Sequence, residues 1–184
     1  MRHRQRIGRR LLTFYLLGGC GGQAASAPAP PDAGQAQLRL SSPAFTEGGS
    51  LPPEYTCDGT GTSPPLEWTG VPSGTRELAL LVTTVAKDGL KWNWVLWAIP
   101  PETPGLSAGS GVGTAGLTSD GPALAYSPPC SQGPGAKTYT FTLYALSDHP
   151  TLPARPREVT GAALTDAIRA STIAKSELDV SYAR

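Results

Sequence analysis

The sequence predicts a mainly β fold, a β-sandwich or similar antiparallel core with a C-terminal helical segment, in the mainly-β or α+β class. Glycine and proline number 22 and 19 among 184 residues while charged residues make up only 16%, a loop-rich β composition and not that of a helical bundle. Four stretches carry strand signatures, and only the C-terminal end has helical spacing. At this length the chain can build one domain with a real core, and it is too short for two comfortable ones.

The first element is a targeting segment. Met1 to Gly19 opens with five arginines (Arg2, Arg4, Arg6, Arg9, Arg10), continues with the short apolar run Leu11 to Leu17 and ends in small residues. It is too short to span a bilayer as a mature helix, so residues 1–19 are expected to be a secretory signal. Leu17-Gly18-Gly19-Cys20 resembles the bacterial lipobox, which implies cleavage before Cys20 and lipid on its sulfur. Residues 20–36, small residues and prolines without periodicity, read as a flexible tether, leaving residues 37–184 as the globular domain. The expected location is therefore the cell envelope, periplasmic or at the cell surface, with the lipid holding the domain near a membrane without inserting it.

Export bears on the other two cysteines. In an oxidising compartment Cys57 and Cys130 are expected to pair, closing a loop of 73 residues. The chain-entropy model gives such a loop roughly 4 kcal/mol. Two buried free thiols are the alternative.

The strand candidates are "AQLRLSS", "ELALLVTTV", "WNWVLWAI" and "KTYTFTLYAL". The second is almost continuously apolar, as in a strand covered on both faces. The fourth alternates, with Tyr139, Phe141 and Leu143 on one side and Thr138, Thr140 and Thr142 on the other. In the third, Trp92, Trp94 and Trp97 surround Asn93, whose amide must find partners in a core or face a pocket. The long loop segment from Pro101 to Ala136 is a candidate working surface. Thr160 to Tyr182 reads as helical, with Thr160 as N-cap and Leu164, Ala167, Ile168, Ala174 and Leu178 at helical spacing.

Several function classes find no support. Without the leading arginines the body holds 10 basic against 14 acidic side chains, which offers no electrostatic footprint for nucleic acid. The exported part keeps a single histidine, His149, in a turn-like segment beside proline, so an imidazole-assisted nucleophile is not expected. Zinc is short of ligands, and no glycine-rich phosphate loop opens a helix. The expectation is a non-enzymatic protein without a cofactor.

The order of "SPAFTEGGSLPPEYTCDGTGTSPPLEW", "VPSGTRELALLVTTV", "WNWVLWAIP", "YSPPCSQGPGAKTYTFTLYAL" and "LTDAIRASTIAKSELDVSY" resembles the phosphatidylethanolamine-binding protein family, in its bacterial Raf-kinase-inhibitor-like branch. The resemblance runs from about Leu38 to Tyr182. It implies an antiparallel β-sandwich of that type with C-terminal helices and a small anion-accepting pocket. Its pocket motifs are altered here. The Asp-Pro-Asp-x-Pro run reads Thr84-Val85-Ala86-Lys87-Asp88, the histidine of Trp-His-Trp falls on Asn93, and that of His-Arg-Tyr falls on Lys137 while the tyrosine survives as Tyr139. Ala170-Ser171 stands where relatives often carry Gly-His, and Cys130 occupies the small-residue wall beside the pocket.

Two functions are then expected in competition. In the first, Asn93, Lys137 and Tyr139 bind a small polar or anionic ligand: the amide through its donors and acceptor, the lysine as a point charge, the tyrosine through its hydroxyl. Each has a plainer role available, as a core amide, a solvated strand-end cation and a packing ring. In the second, the pocket is vestigial and the long loops bind an envelope protein, in the manner of a protease or kinase inhibitor. Asp58, in "CDGTG", reads as a turn former.

Overall fold

The computed structural model describes residues 37–132 and 135–184. The predicted signal, the predicted lipidation site Cys20 and the predicted tether lie outside the described residues. From Gln37 onward the chain forms a sandwich of two sheets, as expected.

A three-stranded sheet has the order β1 (Arg39–Ser41), β3 (Leu66–Thr69), β6 (Gly105–Leu106). The larger sheet has the order β2 (Gly49–Ser50), β9 (Thr172–Tyr182), β8 (Lys137–Leu146), β4 (Glu77–Ala86), β5 (Gly89–Ile99), β7 (Thr114–Ala115). All pairings are antiparallel except β2 with β9, which is parallel.

The apolar run of β4 is explained by its central place between β8 and β5. Leu78, Leu80 and Val82 join the core between the sheets, with Phe141, Leu143 and Trp94 from the larger sheet and Leu40, Leu66 and Trp68 from the smaller. Ala79 and Leu81 belong to a second cluster on the outer face, with Leu164 and Ile168 of the helix α1 (Gly161–Ile168). Burying each of those two side chains is worth about 1.5–3 kcal/mol. The helix lies so close to β5 that a Cβ on Gly161 would stand 2.0 Å from the Trp92 ring.

The C-terminal helical expectation holds for α1 alone. Thr160 caps it, its side chain accepting from Ala163 N at 3.2 Å, but Thr172 to Tyr182 form a strand, not a helix. The spacing from Ala174 to Leu178 suits a helix, yet four is also an even number, so it suits a strand equally. Leu178, Val180 and Tyr182 alternate inward, and pairing along the whole of β8 decides the matter.

Candidate ligand-binding site

The site is organised by an irregularity in β5. Val82 of β4 pairs with Trp94 and Thr83 with Trp92, so Asn93 is left over as a bulge. Trp92 and Trp97 pack with the outer cluster while Trp94 belongs to the inner core.

The long loop then returns to this point. Ser119 N donates to Trp92 O at 2.9 Å and Trp92 N donates to Ser119 Oγ at 2.9 Å. Farther along, Ser127 N donates to Asn93 O at 2.7 Å, and Asn93 Nδ2 donates to Ser127 O at 3.1 Å. A carbonyl only accepts, so the amide nitrogen must face Ser127 and Oδ1 must point elsewhere. Oδ1 is buried and has no hydrogen-bond partner among the described residues. Ser127 Oγ extends the chain to Asp120 Oδ2 at 2.5 Å.

Tyr126 packs edge-on against Trp94, with ring centroids 5.4 Å apart, and its hydroxyl donates to Tyr55 O at 2.9 Å. Burial, with a smaller contribution from Tyr139, pushes the Tyr126 pKa far above the ordinary tyrosine range. Tyr139 is only 2% exposed. Its pKa is raised first by burial, then by Tyr182 and by the carboxylate of Asp120, which brings Asp120 into the electrostatic neighbourhood of that hydroxyl.

Lys137 lies two residues along β8, on the same face as Tyr139 and half-buried. Its charge is felt by Asp88, whose pKa is lowered chiefly by Lys91, with Nζ 2.6 Å from the carboxylate, and to a lesser degree by Lys137. The structure thus brings Asn93 and Tyr139 into one neighbourhood through Asp120 and Ser127, with Lys137 toward the β4–β5 turn. Neither Ser127 nor Asp120 stands out in the sequence. Their only signal is the length of the loop, because each reads locally as a turn residue.

One wall is fixed covalently. Cys57 and Cys130 are joined, with Cα atoms 5.2 Å apart, and Cys57 N donates to Pro129 O at 3.0 Å. Asp58 does more than turn the chain: its carboxylate accepts from the Tyr182 hydroxyl and pairs with Arg184 Nε at 2.9 Å. Ser131 Oγ, just past the disulfide, is a second buried atom without a partner among the described residues.

His149 stands elsewhere. Its Nδ1 is 2.6 Å from Glu77 Oε2, and Glu77 begins β4 roughly 23 Å from Thr84 at about 3.3 Å per residue. Among the described residues no group of three or more His, Cys, Asp or Glu side chains could hold a metal ion. The site offers an amide, a serine hydroxyl, a phenol and a carboxylate, with an ammonium at its margin. These groups can hydrogen-bond and orient a ligand.

Comparison with known proteins agrees with this fold. The family model described as phosphatidylethanolamine-binding protein matches residues 41–183. A UPF0098 protein of Chlamydia muridarum is 34% identical over 158 residues, covering 79% of this chain and 98% of its own. A protein of Mycobacterium tuberculosis that bears a lipoprotein name, LppC, is 33% identical over 153 residues, 74% of this chain and 76% of that one. Among solved structures, the homologue CT736 of Chlamydia trachomatis superposes with a TM-score of 0.74 at 30% identity, over 81% of this chain and 99% of that one. YbcL of E. coli shares the fold, with a TM-score of 0.73 at 24% identity over 81% and 99% of the two chains.

Proposed function

Because the chain belongs to the phosphatidylethanolamine-binding protein family, we propose that it is a non-enzymatic binding protein, lipid-anchored through Cys20 in the cell envelope, that holds a small polar ligand at Asn93. The observation that carries this reading is Asn93 Oδ1, a buried acceptor with no donor among the described residues. Leaving such an atom unmet costs about 1–3 kcal/mol, and a cost of that kind is retained where a bound group meets the need. Ser127, Asp120 and Tyr139 supply the surrounding polar contacts, and Lys137 a positive charge for a ligand with an anionic part. The similarity to a lipoprotein-named relative supports the anchor. Replacement of the family's strand histidines by Asn93 and Lys137, and of its Gly-His by Ala170-Ser171, leaves no imidazole at these positions, which supports binding without turnover.

Calorimetric titration of the full chain with phosphoethanolamine and glycerol phosphate tests this. Saturable binding weakened by Asn93→Ala and by Lys137→Ala is the expected result. If both variants keep every affinity of the parent, these roles are wrongly assigned.

One observation favours the second reading, a protein-interaction module with a vestigial pocket. Asn93 and Tyr139 are 5% and 2% exposed, so the pocket is closed in the described state, while Val112 and Leu124 in the long loop present apolar surface. A pull-down from envelope extract that recovers one partner, lost when 107–113 are replaced, would support it, and recovery of nothing would count against it.

A further inference from the structure

Next to the Asn93 cluster, the Trp94–Tyr126 pair borders a cavity of about 430 Å³ whose lining does not include Asn93, Lys137 or Tyr139. Its lining includes Trp94 and Leu96 of β5, together with Val112, Leu124 and Tyr126 from the long loop. We infer that this cavity is a second binding site, distinct from the polar one, and that it takes a neutral aromatic molecule of two or three rings.

Charge sets the class of ligand. No lining side chain is an acid, a lysine, an arginine or a histidine, and the one phenol, Tyr126, is held protonated by burial. A charged ligand would leave water with no partner to meet it. The three lining hydroxyls already serve the protein's own backbone. Ser63 Oγ accepts from Gly109 N at 3.1 Å, Ser110 Oγ accepts from Val112 N at 3.1 Å, and Tyr126 donates to Tyr55 O. Both serines keep an O–H to donate and the glycine backbone adds polar edges, while the Trp94 and Tyr126 rings and the side chains of Leu96, Val112, Ala115, Leu124 and Ala125 supply the apolar surface.

The loop is built to stand over this space. Gly113 has φ +87, and a Cβ there would meet Trp97 O at 2.7 Å, so glycine alone lets the loop lie against β5. At Gly111 a Cβ would meet nothing within 4 Å. Val112 and Leu124 remain 39% and 36% exposed, two of the large apolar side chains that are exposed among the described residues, and both line this cavity. Paired apolar residues held open over an aromatic floor are the arrangement of a small-molecule pocket, and the volume lies within the usual range for one.

The test is titration of the full chain with the neutral probe N-phenyl-1-naphthylamine, read by probe emission and by quenching of tryptophan. The expected result is one saturable site whose quenching is reduced in Trp94→Phe. Val112→Asp and Leu124→Asp, surface substitutions that place a charge at the lining, should each weaken binding by about tenfold or more. Ile173→Asp, at an exposed apolar residue of β9 outside this lining, should leave the affinity unchanged. The sulfonated analogue 1-anilinonaphthalene-8-sulfonate should bind more weakly than the neutral probe. Non-saturable binding, equal loss in Ile173→Asp, preference for the sulfonate, or a dimer in sedimentation that Val112→Asp dissolves would overturn the inference. Each of these leaves the Asn93 site standing, because its titration uses phosphorylated compounds and different variants.

Discussion

Ser127 is bonded to Asn93 twice, its N–H donating to the Asn93 backbone carbonyl at 2.7 Å and its carbonyl accepting from the Asn93 side-chain amide at 3.1 Å. This pair fastens the long loop to the bulge in β5 and fixes which way the amide points. Asn93→Ala removes one buried hydrogen bond and also the unmet Oδ1, so the net loss of stability should be modest, about 1 kcal/mol in urea unfolding. Asn93→Asp places a carboxylate against the Ser127 carbonyl and should cost about 2–4 kcal/mol, more at about pH 8 than at pH 4, where the new acid is protonated. Equal stability of the two variants at pH 8 would contradict this geometry.

The disulfide should matter to the same loop. Reduction, or Cys57→Ala with Cys130→Ala, opens a closure of 73 residues and should lower stability by roughly 4 kcal/mol. Unfolding midpoints with and without reductant measure it directly. Coincident midpoints would mean that the bridge constrains neither state.

At the far end of β4, Glu77 is buried and accepts from Ala98 N at 2.8 Å, and Ala98 has φ 54, in the left-handed region. Glu77→Ala leaves that N–H unmet and should destabilise by about 2–3 kcal/mol, while Glu77→Gln, which keeps the acceptor, should cost less. Ala98→Gly relieves the backbone and should be neutral or stabilising by about 0.5–1 kcal/mol. A clear loss in Ala98→Gly would show that this irregularity in β5 is not strained.

Tyr126 gives an alkaline limit. Burial raises its pKa above the ordinary 10.0, so the folded protein keeps a proton that the unfolded chain releases. Its contribution is therefore fully present below about pH 10 and is lost as the pH rises beyond it. Urea midpoints from about pH 8 to pH 11 should fall, and Tyr126→Phe should flatten that fall while losing about 1 kcal/mol at neutral pH with the Tyr55 hydrogen bond. An unchanged alkaline slope in the variant would exclude Tyr126 as its source.

Of the long strands, β4, β5 and β8 are legible from their local pattern. Alternation in Tyr139, Phe141 and Leu143 suits a strand, and the nearly continuous apolar run of β4 is decided by its length and β-branched residues. β9 reads as a helix because Ala174 and Leu178 satisfy two periods at once, and its partner β8 lies far back in the chain. The two-residue strands β2, β6 and β7 carry no pattern at all, being defined by what lies next to them. The cysteine pairing is legible only through the export that the first twenty residues predict. Within the site, Asn93 and Tyr139 stand out through altered motifs, whereas Asp120 and Ser127 reach them only because the loop folds back on β5, a tertiary fact with no local signature.

The most direct measurement is an NMR titration of the full chain with phosphoethanolamine, following the Asn93 side-chain amide and the Ser127 N–H. Saturable shifts at both, lost in Lys137→Ala, with the compound recovered chemically unchanged, are the predicted result. Conversion of the compound, or shifts that leave both groups untouched, would contradict a binding site built on Asn93.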